Sequence, residues 1–117
     1  MVTNLAQLKK ALKQGARLEV VKHYTMPAIE GQIKEVTKAQ TNGIYLKLVG
    51  RTNGDFIEGD EKWINANGGR GAWLDFGKAE NWKFEDGLII LFNIWNINDG
   101  YGNVKKNVMP LAVYRLI

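Results

Sequence analysis

The strongest constraint on the fold is an Asn-Gly pair that separates two stretches with strand patterns. Asn42-Gly43 follows Gln32–Gln40 and precedes Ile44–Val49, where inward aliphatic positions alternate with other side chains. Asn and Gly tolerate the positive φ angles of tight hairpin turns, so this pair predicts an antiparallel β-hairpin. The alternation places Tyr45 and Lys47 on the outward face of the second strand, away from its buried aliphatic side chains.

Other turn signals divide the rest of the chain into short β segments. These segments are rich in β-forming residues: Arg17–Tyr24, Ala72–Phe76, Leu88–Ile94 and Leu111–Ile117. The stretch GKAENW, residues 77–82, resembles the short helical turn before the last strand of SH3-like barrels. We therefore predict a mainly β fold of the α+β class, either a small, strongly bent antiparallel sheet or an SH3-like barrel, with about five to seven strands.

One helix is predicted over residues 4–14, before the first strand. Its apolar positions recur at helical spacing: Leu5, Leu8 and Leu12. A chain of 117 residues suits one domain, 1–117, in which this helix packs on a β region over residues 16–117. Within that region, residues 50–71 hold six glycines and four acidic residues and are predicted to form a long loop.

The residue types that the sequence lacks exclude several chemistries. There is no Cys and no Ser, so disulfides, thiolate chemistry and a serine nucleophile are excluded. The single histidine, His23, cannot form a histidine cluster around a metal, and no phosphate-binding or zinc-protease motif occurs. We therefore predict a protein without enzymatic activity, cofactor or metal site.

Paired carboxylates are the remaining catalytic alternative. Asp55, Glu58, Asp60 and Glu61 cluster in the long loop. Two acids can cleave a glycosidic bond or hold a hard cation, but this spacing matches no calcium-binding loop. A solvated acidic loop is the simpler interpretation, and an enzymatic role through these acids is the less favoured one.

Neither a secretory signal nor a membrane span is expected. Residues 1–14 are polar and charged, unlike a signal peptide. The longest apolar run, Leu88–Phe92, is too short to cross a bilayer. Together with the absence of Cys, these features predict a cytoplasmic protein.

Positive charge is concentrated in the first half of the chain. The formal net charge is +4, and residues 1–54 carry nine basic against three acidic side chains. Such a region can attract phosphate groups. If the strand register brings them to one face, five residues form a basic patch with an aromatic platform: Lys34, Lys38, Tyr45, Lys47 and Arg51. An ordinary solvated sheet face is the alternative interpretation.

Two further surfaces are candidates for contact with proteins. The long loop offers Trp63 and Arg70, together with the acidic residues 55–61. The apolar segment 88–97 would suit a homodimer or a partner interface if part of it forms a sheet edge. Two other tryptophans are instead expected in the core: Trp73 and Trp82.

Three segments carry a resemblance to known proteins: LAQLKKALKQGARLEVV (5–21), QTNGIYLKL (40–48) and AWLDFGKAENWKF (72–84). In these segments the chain resembles small SH3-like or β-barrel proteins of plasmids, phages and conjugative elements of Gram-positive bacteria. The resemblance implies DNA binding or inhibition of host defence. Small anti-CRISPR proteins are similar in size and in lacking enzymatic motifs.

These features lead to one functional prediction and one alternative. We predict a non-enzymatic accessory protein of a mobile genetic element that binds nucleic acid or a nucleoprotein complex through a basic sheet face. The alternative is a protein-binding inhibitor of a host defence nuclease, such as a Cas effector.

Overall fold

The chain folds into one antiparallel β-sheet with a short helix at its N-terminus, in a computed structural model that describes residues 1–117. The strands are β1 (Arg17–His23), β2 (Gln32–Ala39), β3 (Gly43–Arg51), β4 (Ala72–Asp75), β5 (Trp82–Glu85), β6 (Leu88–Asn98) and β7 (Val104–Leu116). The helices are α1 (Leu5–Ala11) and α2 (Glu61–Ile64), with 3-10 turns at Pro27–Ile29, Ala66–Gly69 and Ala79–Asn81. The strand order is β4-β3-β2-β1-β7-β6-β5. The predicted α+β class, mainly sheet, is confirmed.

The sheet curves so strongly that distant strands border the same cavity. Three strands separate β3 from β6, which would place them about 19 Å apart in a flat sheet with a strand spacing of about 4.8 Å. Yet Leu46 of β3 and Leu91 of β6 line one cavity of about 200 Å³. The end strands β4 and β5 do not pair with each other. The sheet is therefore strongly bent but is not closed into a barrel.

Helix α1 packs on the inner face of this sheet. It begins at Asn4, whose side-chain oxygen accepts a hydrogen bond from the Gln7 N–H at 2.8 Å. It ends at Ala11, earlier than predicted, because Leu12 leaves the helical region of backbone space with a ψ of 50°. No helix of the chain has both the length and the apolar character needed to cross a membrane.

A single core joins the helix to the sheet. Leu8 and Leu12 of the N-terminal segment are fully buried in it. The other buried members are Leu18, Val20, Ile29, Val36, Ile44, Leu46, Phe76, Trp82, Ile89, Leu91, Ala112 and Tyr114. The prediction that Trp82 lies in the core is confirmed, and its indole N–H donates to the carbonyl oxygen of Phe76 at 2.6 Å.

The Asn-Gly turn and the Asp-Gly turn each connect two neighbouring antiparallel strands, but they differ in their backbone φ angles. Asp86 and Gly87 have φ values of 52° and 78°, as a type I′ turn requires. Asn42 and Gly43 join β2 to β3 without a positive φ at either residue. The hairpin is confirmed, but Gly43 is not needed there for its left-handed conformation.

A buried ion pair holds the segment that was expected to be a long loop. Arg51 Nη2 lies 2.6 Å from Asp60 Oδ1, and the two side chains are 11% and 3% exposed. Arg51 Nε donates to the second carboxylate oxygen at 2.8 Å. Asp60 also accepts hydrogen bonds from the Ile57 N–H and from Gln32 Nε2. These contacts tie residues 57–60 to the end of β3.

All three guanidinium nitrogens of Arg51 donate within the chain. Besides the bonds to Asp60, Nη1 and Nη2 donate to the carbonyl oxygens of Glu30 and Ala28, at 3.0 and 2.9 Å. The side chain therefore joins the turn before β2 to the segment after β3. The prediction that Arg51 belongs to an exposed basic patch is wrong, because this ion pair turns it inward.

Strands β6 and β7 extend beyond β5 as a two-stranded arm. β5 pairs only with the first part of β6, Leu88–Leu91. The rest of β6, Phe92–Asn98, therefore has a strand neighbour on one side only, which is Val104–Pro110 of β7. With 13 residues, β7 spans about 44 Å. This length accounts for the elongated shape of the molecule, 52 × 31 × 28 Å.

The Arg51–Asp60 pair predicts a large loss of stability when the carboxylate is removed. Asp60→Asn leaves a buried guanidinium without its counter-charge, and we expect the free energy of unfolding to fall by about 3–5 kcal/mol in urea denaturation. Glu80→Gln is the matched control, because it removes an exposed ion pair, to Lys106 at 3.0 Å. That control should leave the unfolding midpoint nearly unchanged. Equal effects of the two substitutions would contradict the assignment.

The same pair predicts a dependence of stability on pH. The hydrogen bonds from Arg51 hold the pKa of Asp60 well below its usual range. Such a carboxylate stabilises the fold fully above its unfolded pKa of about 3.9, and the contribution is lost as the pH falls towards the folded pKa. The difference in unfolding free energy between wild type and Asp60→Asn should therefore shrink between pH about 5 and 2. A constant difference over this range would count against the ionised pair.

Candidate functional site

An extra residue in β2 places its two lysines on opposite sides of the sheet. Val36 and Lys38 pair with consecutive residues of β3, the second of them Tyr45, so Thr37 between them is a β-bulge. Before the bulge, Lys34 faces the inner side and is only 5% exposed. After it, Lys38 is exposed on the outer face. The prediction that both lysines share one outward face is therefore wrong.

The outer face of β2, β3 and β4 brings aromatic rings and basic side chains together. Lys38 opposes Tyr45, and Tyr45 opposes Trp73 on the next strand. The two rings meet edge to face, with centroids 5.0 Å apart and an angle of 60° between their planes. The guanidinium of Arg70 lies 5.6 Å from the Tyr45 centroid. With Lys47 two residues along β3, these residues form what we call the aromatic–basic cluster: Lys38, Tyr45, Lys47, Arg70 and Trp73.

The indole of Trp73 lies over a glycine of the neighbouring strand. A Cβ atom on Gly43 would fall 2.5 Å from Cζ2 of the indole and closer still to the carbonyl oxygen of Leu74. The missing side chain is therefore what lets the ring come this close to β3. Trp73 keeps 38% of its surface exposed. The prediction that it belongs to the core is wrong, because Ala72 and Leu74 take the inward positions of β4.

Backbone contacts fix Arg70 beside the rings. The hydroxyl of Thr37 donates to the carbonyl oxygen of Arg70 at 2.6 Å. The next residue, Gly71, has a φ of +99° and lies so close to β3 that a Cβ would overlap the carbonyl of Leu46. The bulge residue that turns Lys38 outward thus also anchors the backbone that carries Arg70.

Two carboxylates lie on this face: the exposed Asp75, two residues after Trp73 on β4, and Glu35 among the cations. Glu35 accepts a hydrogen bond from Arg17 Nε at 3.1 Å, and Lys47 Nζ is 3.6 Å away. The bond from Arg17 and the charge of Lys47 lower the pKa of Glu35. Lys38 and Arg70 have no carboxylate within salt-bridge distance. The cations of this face, counting Arg17, therefore outnumber its two carboxylates, and the charge around the exposed Trp73 and the half-buried Tyr45 is net positive.

The structure separates the two residues that were grouped in the long loop. Trp63 lies on α2, half-buried against the core, with Lys34 Nζ 4.6 Å from its ring centroid. Arg70 belongs to the aromatic–basic cluster on the outer face. The exposed apolar residues of the loop are Phe56 and Ile57, at 50% and 54% of their surface. Their sequence signal is weak, because short apolar pairs in a loop are equally typical of tethers to a core.

The segment 88–97 is divided between the sheet and the arm. Leu88–Leu91 pairs on both sides, with β5 and with β7. Beyond it, Trp95 and Ile97 of the arm are 37% and 43% exposed. Association of two copies through this segment stays a prediction, and the free strand edge that it requires is available only in the arm.

The packing of Trp73 on Gly43 predicts the effect of adding one methyl group. Gly43→Ala should displace the indole and lower the free energy of unfolding by about 1–3 kcal/mol. Gly50→Ala is the matched control in the same strand, because nothing lies within 4 Å of a Cβ at that position. Urea denaturation followed by tryptophan fluorescence measures both changes. If Gly43→Ala is as stable as Gly50→Ala, the close approach of the indole is not present.

No protein-family model matches the chain, and neither a curated protein nor a solved structure matches it. The resemblance to small proteins of Gram-positive mobile elements therefore stays a prediction, as do the roles that it implies. The geometry of the chain itself is what supports a function.

Proposed function

We propose that the chain binds single-stranded nucleic acid through the aromatic–basic cluster, as a non-enzymatic accessory protein of a mobile genetic element. The observation that carries the proposal is the exposed Trp73 packed on the half-buried Tyr45, with Lys38, Lys47 and Arg70 around them. Proteins that grip single strands combine aromatic platforms for bases with cations for phosphates.

The two kinds of residue would divide the contacts between them. The exposed part of the Trp73 indole offers a stacking surface, and each stacked base contributes about 1–3 kcal/mol in proteins of this kind. Arg70 already stacks on Tyr45, from where its guanidinium can pair with a phosphate or stack on a base. Lys38 is free to contact a second phosphate, because no carboxylate neutralises it.

The position of the aromatic–basic cluster favours single strands over duplex DNA. Reading a duplex through its major groove usually takes a helix or a β-ribbon that fits into the groove. Helix α1 has seven residues and buries Leu8 against the sheet, and the two-stranded arm of β6 and β7 carries no residue of the cluster, so neither element brings the cluster into a groove. The cluster lies instead on an open sheet face, where unpaired bases are accessible to the rings.

The charge contribution can be measured by titrating labelled oligonucleotides in fluorescence anisotropy across a salt series. Lys38→Gln combined with Arg70→Gln should reduce the slope of log K against log salt by about 1.4, because each phosphate contact in a single strand contributes about 0.7. The matched control is Lys10→Gln combined with Lys13→Gln, which removes equal charge from exposed residues of the N-terminal segment. An equal loss of slope in the control would show that nucleic acid is attracted by the overall charge and not bound at the aromatic–basic cluster, which would contradict the proposal.

The stacking contribution should be separable from the charge contribution. Trp73→Leu should weaken binding of single strands by about fivefold or more while leaving the salt slope unchanged. Duplex oligonucleotides of the same sequence should bind more weakly than single strands to the wild type. Failure of the wild-type chain to bind any oligonucleotide at low salt would overturn the proposal.

A second candidate function is inhibition of a host defence nuclease by direct binding. Phe56 and Ile57 are exposed beside Asp55 and Glu58, and the buried Asp60 holds this loop in place. Exposed apolar side chains on an anchored loop are typical of protein contact sites. A direct role predicts that Phe56→Ser combined with Ile57→Ser relieves inhibition of plasmid cleavage by a purified Cas nuclease. Absence of inhibition by the wild-type chain would remove this candidate for that nuclease.

A further inference from the structure

The concave side of the sheet contains a cavity with a mixed lining. Its volume is about 200 Å³, and eleven of its thirteen lining residues are hydrophobic. The apolar wall is formed by side chains of several strands together with α2: Val20, Leu46, Trp63, Leu74, Leu91 and Leu111. Three titratable side chains also line the cavity: Lys34, His23 and Tyr114.

The ammonium group of Lys34 lines this cavity and has no hydrogen-bond or ion-pair partner within the chain. The residue is only 5% exposed, and no hydrogen bond or ion pair within the chain reaches its ammonium group. Its closest compensation is the ring of Trp63, whose centroid is 4.6 Å from Nζ. Asp60 acts on it at longer range, but that carboxylate is bound by Arg51. Burial lowers the pKa of Lys34 to about 8, so the amine is still mostly charged at pH 7.

His23 adds a second donor to the same cavity. Its Nδ1 accepts a hydrogen bond from the Met26 N–H at 3.0 Å and a longer one from the Thr25 N–H at 3.3 Å. Nδ1 therefore carries no proton, and the hydrogen of the neutral ring is on Nε2. Burial lowers the pKa of His23, with the charge of Glu30 opposing this shift and that of Lys34 adding to it. No group of the chain accepts a hydrogen bond from Nε2.

Tyr114 supplies a third polar group. The side chain lines the cavity and is 8% exposed, and its hydroxyl makes no hydrogen bond within the chain. Burial alone raises its pKa to about 12, so it is a neutral donor at physiological pH. The only fully buried side-chain atom without a hydrogen-bond partner is Gln32 Oε1, so the polar atoms of Lys34, His23 and Tyr114 keep some accessible surface. Three donors that line one largely apolar cavity and have no acceptor within the chain complement a ligand that brings acceptors and negative charge.

We propose that this cavity binds a small apolar carboxylate, with the carboxylate at Lys34 and His23 and the apolar body against Leu46 and Leu91. An ionised carboxylate supplies acceptors for the donors and the counter-charge that the buried ammonium lacks. The cavity is smaller than the about 300–1,000 Å³ of sites for drug-sized ligands, so the ligand is small. Trp73 is the one residue of the aromatic–basic cluster that also lines this cavity. The donors of the carboxylate site, Lys34 and His23, belong to no part of that cluster, so the site does not rest on the proposed function.

The probes that test this site are benzoate and hexanoate, with benzamide and hexanamide as neutral analogues of the same shape. Binding is measured by calorimetry and by tryptophan fluorescence, because Trp63 and Trp73 both line the cavity. Each carboxylate should bind at least about tenfold more tightly than its amide, because the neutral amide lacks the negative charge that strengthens the hydrogen bonds from Lys34 and His23. Acetate, which has the charge without the apolar body, should bind more weakly than hexanoate.

Lys34→Met separates the charge from the packing. The thioether chain fills a similar volume and removes a buried charge, so this variant should melt at least as high as the wild type. It should lose the preference for carboxylate over amide, whereas Lys38→Met, on the outer face of the same strand, should keep it. Equal binding of benzoate and benzamide to the wild type, or an unchanged preference in Lys34→Met, would overturn the proposal. Absence of binding by every probe would overturn it as well.

Discussion

The β-bulge at Thr37 is the constraint on which both candidate sites depend. A strand alternates its side chains strictly, so Lys34 and Lys38 would face the same way in a regular β2. The extra residue changes that relation and sends Lys34 into the cavity while Lys38 stays on the surface. The Thr37 hydroxyl also donates to the carbonyl oxygen of Arg70. The bulge therefore turns Lys38 outward and also holds Arg70 on the same face.

The first part of the segment between β3 and β4, up to Asp60, is held by an ion pair, whereas hydrophobic packing on the core begins at Trp63. Its apolar residues Phe56 and Ile57 remain exposed, whereas the carboxylate of Asp60 is buried against Arg51. A buried pair of this kind adds little net stability over a hydrophobic substitute, but it is costly to break from one side. It therefore specifies one position for the loop. Shortening the loop by removing residues 53–70 would also remove Asp60, leave Arg51 buried and unpaired, and so test folding rather than binding.

The sequence was informative wherever the chain follows regular alternation and uninformative where it departs from it. The hairpin at Asn42-Gly43 and the inward aliphatic row of β3 follow from the turn and strand patterns. Strand context predicted the core for both Trp73 and Trp82 and was right only for Trp82. The bulge at Thr37 has no such signal, because Thr is an ordinary strand residue. The environment of Trp73 also has no local signal, since it depends on a glycine thirty positions away in the sequence. The partner of Arg51 could not be chosen among the acids of its loop without the tertiary contacts.

The distribution of charge along the chain does not map onto the faces of the sheet. The basic first half contributes Lys34 and Arg51, yet neither faces solvent on the outer side, because one lines the cavity and the other is paired with Asp60. Conversely, Arg70 comes from a stretch in which acidic residues outnumber basic ones, and the fold carries it to the basic face. The field that a phosphate meets is set by the few cations of a face that have no carboxylate within ion-pair distance. Lys38 and Arg70 meet that condition here: Lys38 pairs with Tyr45 across the β2–β3 ladder, and the guanidinium of Arg70 lies 5.6 Å from the centroid of the same ring.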